Sequence, residues 1–173
     1  MLLLDNIAFE LQKAGGVSLV WQAVINACMQ EEALKFTLID SGLGRDNIFY
    51  PKVEDKIPIV SENGPLLFRR YSNVNKNISA KVFHSSYFRT HNGKKVKNIV
   101  TVHDFIYEKY DKGVRKFIHL MQKKAALKAA DVIICVSENT RKDLLEYHPW
   151  LINKDIRVIY NGVGKEFYPL SLG

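Results

Sequence analysis

Residues 129–169 read AADVIICVSENTRKDLLEYHPWLINKDIRVIYNGVGKEFYP, and this stretch constrains the fold more than any other. Val132 to Val136 is a short, almost wholly apolar run. Such a run suits a strand covered on both faces, as in a parallel sheet flanked by helices. Ser137 stands where a helix N-cap belongs, and Thr140 with Asp143 offers a second cap of the capping-box type. The helix is expected to run to about Tyr147 and to stop at Pro149. Ile156 to Tyr160 reads as the next strand, and Asn161-Gly162 as a turn. In an open α/β sheet, ligands collect where the carboxyl ends of strands meet the N-termini of helices, here around Ser137 and Asn161.

The rest of the chain repeats this alternation. Leu2 to Phe9 reads as a first strand, followed by Ala14-Gly15-Gly16 and a helix from about Val17 to Gln30. Val17, Val20, Trp21, Val24 and Cys28 form its expected core face. Lys35 to Asp40 reads as the second strand, and Ser41 to Tyr50, with Gly42 and Gly44, as a loop. From there to about Asn77 the pattern is irregular and broken by Pro51, Pro58 and Pro65. Ile57 to Val60 and Leu66 to Phe68 are short strands or a helix start. Strands separated by helices, without a hairpin signal or an internal repeat, predict one α/β domain with a doubly wound parallel sheet.

Two later strands end on histidine. Ala80 to Phe83 is followed by His84-Ser85-Ser86-Tyr87-Phe88-Arg89. Asn98 to Val102 ends in His103-Asp104. Imidazole donates, accepts or carries a proton near neutral pH, and Asp104 can orient a neighbour or bind a hydroxyl. One histidine at such a place is more often a structural hydrogen-bonder, and two at equivalent strand ends raise the case for a site. His91, His119 and His148 read as solvated. The glycine pair Gly15-Gly16, between a strand and a helix, lets a ligand approach the backbone and offers unpaired N–H groups to an anion. A tight turn alone would also need glycine. The chain has neither G-x-G-x-x-G nor a Walker A sequence, which excludes the standard dinucleotide and P-loop sites.

Gly113 to Ala130 reads as a helix with an apolar stripe of Val114, Phe117, Ile118, Met121 and Ala125. Arg115, Lys116, Lys123, Lys124 and Lys128 occupy much of the rest. This basic side reads as a solvated face or as one that meets anionic lipid. The net charge of +7 suits phosphorylated substrates, an anionic membrane surface or nucleic acid. No zinc finger, RNP-like run or basic recognition helix supports nucleic acid.

A length of 173 residues allows a proper core, and 47% apolar with 25% charged residues is ordinary for a globular domain. No apolar run approaches the roughly 20 residues that span a bilayer. Met1-Leu2-Leu3-Leu4 breaks at Asp5, which argues for a strand rather than a signal peptide. Cys28 and Cys135 have no metal-ligand spacing and read as buried thiols of a reducing compartment.

Four pieces stand together in order: Gly15-Gly16 after the first strand, VFHSSYFR, IVTVHDFIYE, and the closing ADVIICVSENTRKDLL, IRVIYNGV and FYP. Together they resemble the N-terminal Rossmann-like domain of family 4 glycosyltransferases with the GT-B fold, especially its mannosyltransferase-like members. The resemblance covers nearly the whole chain and is weakest from about Ser41 to Asn77. It implies an enzyme that moves a sugar from a nucleotide-sugar, GDP-mannose or a UDP-sugar, to a hydroxyl of a glycan or lipid-linked acceptor, with retention and without a metal or other cofactor. It places Gly15 and Gly16 by the donor phosphates, and His103 against the transferred sugar with Asp104 beside it. His84, Tyr87 and Arg89 would line the acceptor side of the cleft. It also implies cell-surface polysaccharide synthesis in the cytoplasm, with a peripheral contact at the inner face of the membrane.

In such enzymes a second domain carries the nucleotide pocket and a pair of glutamates. Residues 1–173 therefore read as the N-terminal domain without its donor-binding partner, expected to be folded but inactive alone. A non-catalytic sugar- or phosphate-binding module on the same sheet edge is the alternative, and a membrane-surface adaptor a third reading.

Overall fold

The computed structural model of the chain describes residues 1–53, 57–75 and 77–162, and the backbone alone of Arg115. The segment Phe167-Tyr168-Pro169 and the terminus at Gly173 lie outside the described residues. Seven strands among them form one sheet: β1 (Leu2–Asp5), β2 (Phe36–Asp40), β3 (Ile59–Ser61), β4 (Val82–Ser85), β5 (Lys97–Val102), β6 (Val132–Cys135) and β7 (Asp155–Val158). Their order is β3-β2-β1-β4-β5-β6-β7, and every pairing is parallel. The helices are α1 (Ala8–Leu11), α2 (Gly16–Gln30), α3 (Leu66–Tyr71), α4 (Ile106–Tyr110), α5 (Val114–Ala129) and α6 (Glu138–Tyr147). The expected doubly wound parallel sheet is present. The order in which strands are added reverses between β1 and β4, and in open sheets of this kind ligands bind at the carboxyl edge of that switch point.

Side chains alternate across the pleat, so consecutive residues of one strand feed two core layers. Leu4 packs with Trp21, Ile25, Phe36 and Leu38 under α2. Leu3 turns to the other side and meets Ile39, Val74 and Phe83. Val100, Val102, Leu127, Ile133, Cys135 and Leu144 form the layer beneath α5 and α6. Ser137 caps α6 as expected, its Oγ accepting from the Thr140 N–H at 3.0 Å. The helix ends at Tyr147, before a 3₁₀ turn, Pro149–Leu151. Asn161-Gly162 stands at the limit of the described residues, and the turn read there extends beyond them.

Several expectations need correction. The first strand stops at Asp5 rather than Phe9. The Asp5 carboxylate accepts from the Ile7 N–H, and Asn6 donates to Asp40, so both bend the chain into α1. β4 runs on to Ser85, which puts His84 inside the strand, opposite Leu4 of β1 and Ile99 of β5. The inner face of α2 is Ser18, Trp21 and Ile25, while Val17, Val20, Val24 and Cys28 are only half-buried. His91 and His119 are buried rather than solvated. The His91 ring bonds the Ile78 carbonyl, and His119 stacks on Tyr107 with ring centroids 4.0 Å apart.

The largest departure is α5. Its apolar stripe faces outward: Val114, Phe117, Ile118 and Met121 are all exposed. The inner side is made of His119, Lys123, Ala126, Leu127 and Ala130. Lys123, read as part of a solvated basic side, is 1% exposed. Its ammonium stays charged in the interior because Glu108 Oε1 lies 2.7 Å away and the Asp104 carbonyl 2.8 Å away. The Phe105 ring lies beneath it, centroid 3.6 Å distant.

Candidate active site

At the switch point the carboxyl ends of β1, β4 and β5 lie side by side. Asn6, the first residue after β1, accepts from the Trp21 indole N–H at 3.0 Å and donates to Asp40 at 3.1 Å. This fixes the second turn of α2 over the sheet edge. Trp21 then stands edge-on to His84, with ring centroids 5.0 Å apart and planes at 87°. The other side of His84 meets Thr101 of β5, Nε2 to Oγ1 at 2.9 Å. His84 is therefore a buried support rather than a free imidazole. Burial, and secondarily the charge of His103, lower its pKa to about 4. It is neutral at pH 7.

His103 follows β5 directly and is half-buried, while Asp104 is exposed. Burial lowers the pKa of His103, and Asp104 partly offsets the shift. The turn that carries both residues is held at three points. Asp104 Oδ1 accepts from the Ile106 N–H at 3.1 Å, Lys123 Nζ donates to the Asp104 carbonyl, and Phe105 is buried against Tyr147.

Gly15 and Gly16 open α2 at the same edge. No side chain caps this helix, in contrast to α6. A Cβ on Gly16 would meet nothing within 4 Å, so its backbone lies open. Gly15 is extended, and a Cβ there would lie 2.3 Å from Gln12 Oε1. The Gln12 amide folds over it, donating to Ser18 Oγ at 2.8 Å, and Asn47 braces both from behind. A long helix with an uncapped first turn presents N–H groups and the positive end of its dipole.

Tyr87 and Arg89 are placed differently. The Tyr87 hydroxyl accepts from Arg70 at 3.2 Å and lies 3.1 Å from His119 Nδ1. Arg89 is 1% exposed, and this corrects its reading as a cleft-lining residue. Its guanidinium donates to Asp5 at 3.1 Å, to both oxygens of Glu62 at 2.9 and 2.6 Å, and to the Ser72 carbonyl at 3.2 Å. Those acceptors take four of its five N–H donors, so Arg89 ties the ends of β1 and β3 together. The adjoining pair of Arg69 and Glu10 extends the network. Asn6, Gln12, Trp21 and Lys123 support the site and escape a reading by motif.

The carboxyl edge of the sheet thus carries an uncapped helix N-terminus after β1 and a histidine next to an aspartate after β5, with Trp21 and His84 packed on each other between them. A comparison with curated proteins finds no match. The model of Glycosyltransferase Family 4 matches residues 15–167, most of the chain and all of the elements just described from α2 onward. The Rossmann-like sheet is that of one half of a GT-B enzyme, and the chain belongs to glycosyltransferase family 4.

Proposed function

We propose that this chain is the acceptor-side domain of a retaining hexosyltransferase, mannosyltransferase-like, which moves a sugar from GDP-mannose or a UDP-sugar to a hydroxyl of a glycan or lipid-linked acceptor. The observation that supports the reading is that the uncapped first turn of α2 and His103, which follows β5, both stand at the carboxyl edge of one parallel sheet. The departing diphosphate gains negative charge as the glycosidic bond breaks. The N–H groups at Gly16 and Val17 and the helix dipole stabilise that charge, and a fixed array of donors does so without reorganising. His103, neutral at pH 7, holds a hydroxyl of the transferred sugar, and Asp104 takes a second. His84, Tyr87 and Arg89 hold the acceptor side in shape from behind. Placement of the acceptor hydroxyl against the departing group supplies the rest of the catalysis.

In this reading the nucleotide pocket and the paired glutamates belong to a second domain outside residues 1–173. The chain by itself then has weak affinity for nucleotide and no turnover. The full enzyme works at the cytoplasmic side in cell-surface polysaccharide synthesis. The test uses the chain as it stands. Amide resonances are followed while inorganic pyrophosphate is added to millimolar concentration. Shifts centred on Gly15, Gly16 and Val17, with His103 responding, support the proposal. Shifts spread over the surface lysines, with none at α2, contradict it. The alternative, a sugar- or phosphate-binding module without catalysis, predicts tight binding of an oligosaccharide or phosphate by this chain alone.

A further inference from the structure

Along α5 runs a groove of about 450 Å³ that contains none of the residues assigned to the candidate active site. It follows from the topology, since the connection from β4 to β5 contains no helix to cover this side of α5. One wall is α5 itself. Phe117 and Met121 are 64% and 54% exposed there, and Ala125 and Ala129 beyond them keep the groove open. Tyr71, at the end of α3, adds a second exposed ring. The other wall is two short segments held side by side. The Val74 N–H donates to the Thr90 carbonyl at 2.8 Å, and Val74 pairs with His91. No helix among the described residues, α5 included, is long and apolar enough to cross a membrane.

The two walls differ in chemistry, and neither carries a fixed charge. The described residues that line the groove include no Asp, Glu, Lys or Arg, although these make up 25% of the chain. His91 lines it too, with both ring nitrogens bonded within the chain, to the Ile78 carbonyl and the Gly93 N–H. The second wall offers amides. Thr90 Oγ1 donates to Asn73 Oδ1, and Asn73 Nδ2 donates to Asn92 Oδ1, both at 2.8 Å. These bonds fix the two amides and leave one N–H of Asn73 and both of Asn92 without a partner among the described residues. Gln122 of α5 donates to the Arg70 carbonyl at 2.6 Å, and its buried Oε1 has no partner among the described residues. A hydroxyl would satisfy that acceptor. A pyranose ring presents C–H groups on its faces and hydroxyls around its edge. Exposed aromatic rings suit the first, and fixed amides suit the second. A phosphate or carboxylate would find no cation here to pair with.

We propose that this groove holds a short stretch of an uncharged glycan, with sugar rings on Tyr71 and Phe117 and hydroxyls on Asn73, Asn92 and Gln122. Binding there does not depend on the transfer reading, and its assay contains no sugar nucleotide.

The experiment follows the backbone and side-chain amide resonances of the chain while maltotriose, mannotriose and chitotriose are added in turn, each to tens of millimolar. Trigalacturonic acid serves as the charged counterpart. One variant carries Tyr71→Ala with Phe117→Ala. A second carries Asn92→Asp, which keeps the acceptor for Asn73 and replaces the unpartnered donors with a charge. All three positions are exposed, so both variants should keep the wild-type melting curve. At least one neutral trisaccharide is expected to shift Asn73, Asn92 and Gln122, and each variant should bind it about tenfold or more weakly. The acid should bind more weakly than the neutral sugar. No shift at these residues with any neutral trisaccharide overturns the proposal, and so does either variant that binds like wild type or tighter binding of the acid. Shifts confined to Gly16 and His103 also overturn it, since the sugar then lies at the sheet edge. Dimers formed without sugar and abolished by Tyr71→Ala with Phe117→Ala do so as well, since a second copy then covers the groove.

Discussion

Lys123 Nζ lies 2.8 Å from the backbone carbonyl of Asp104, so a buried ammonium on α5 holds the turn that presents His103. The same nitrogen pairs with Glu108, whose other carboxylate oxygen has no partner among the described residues. Burial lowers the pKa of Lys123 and Glu108 opposes the shift. The pair is thus costly to bury and costlier to break.

Lys123→Met should therefore destabilise the domain by about 3–5 kcal/mol, because it leaves Glu108 charged and unpaired in the interior. Adding Glu108→Gln should recover a large part of that loss. Urea unfolding of the two variants checks this. A single substitution that costs less than about 1 kcal/mol would show that the pair is solvated.

The two glycines should separate. Gly15→Ala must displace the Gln12 amide from Ser18, at a cost of about 1 kcal/mol. Gly16→Ala meets open space and should leave the melting temperature unchanged or slightly raised. In the pyrophosphate titration the order reverses in interest: Gly16→Ala puts a methyl group where the anion approaches, and the amide shifts at α2 should shrink. Unchanged shifts would move the anion away from this turn.

The buried imidazole of His84 makes stability depend on pH. Its folded pKa, about 4, lies below the ordinary 6.5, so the unfolded chain binds more protons between those values. The stabilisation is complete above pH 6.5 and is lost as pH falls toward 4. The difference amounts to about 3 kcal/mol at 1.36 kcal/mol per pH unit. His103, His119 and His148 shift in the same direction and steepen the trend. Denaturant unfolding at pH 7 and at pH 5 should show the loss, and His84→Gln should flatten the slope while lowering stability at pH 7. Equal slopes for wild type and variant would mean that His84 is solvated.

The parallel sheet was legible because most of its strands are short apolar runs separated by helices, as with Val132 to Cys135 between α5 and α6. His103-Asp104 was legible because it follows such a run directly. The orientation of α5 was not. Periodicity assigns the apolar stripe of a helix to the core and lysine to solvent, but Lys123 goes inward because Glu108, Phe105 and the Asp104 carbonyl wait for it there. The place of Arg89 was hidden for the same reason. Asp5 and Glu62 stand 84 and 27 residues away in the chain, and only the fold brings them together. The end of β1 at Asp5 depends on side-chain bonds of Asp5 and Asn6, which an apolar pattern does not register.

The central claim is that His103 acts at the transfer step. The most direct measurement is sugar transfer from the nucleotide-sugar by the two-domain enzyme containing this chain, wild type against His103→Ala, with the melting temperature of both recorded. A loss of roughly a hundredfold or more in turnover with an unchanged melting temperature is the predicted result. Near-normal turnover by a folded His103→Ala enzyme would remove His103 from the active site and contradict the account.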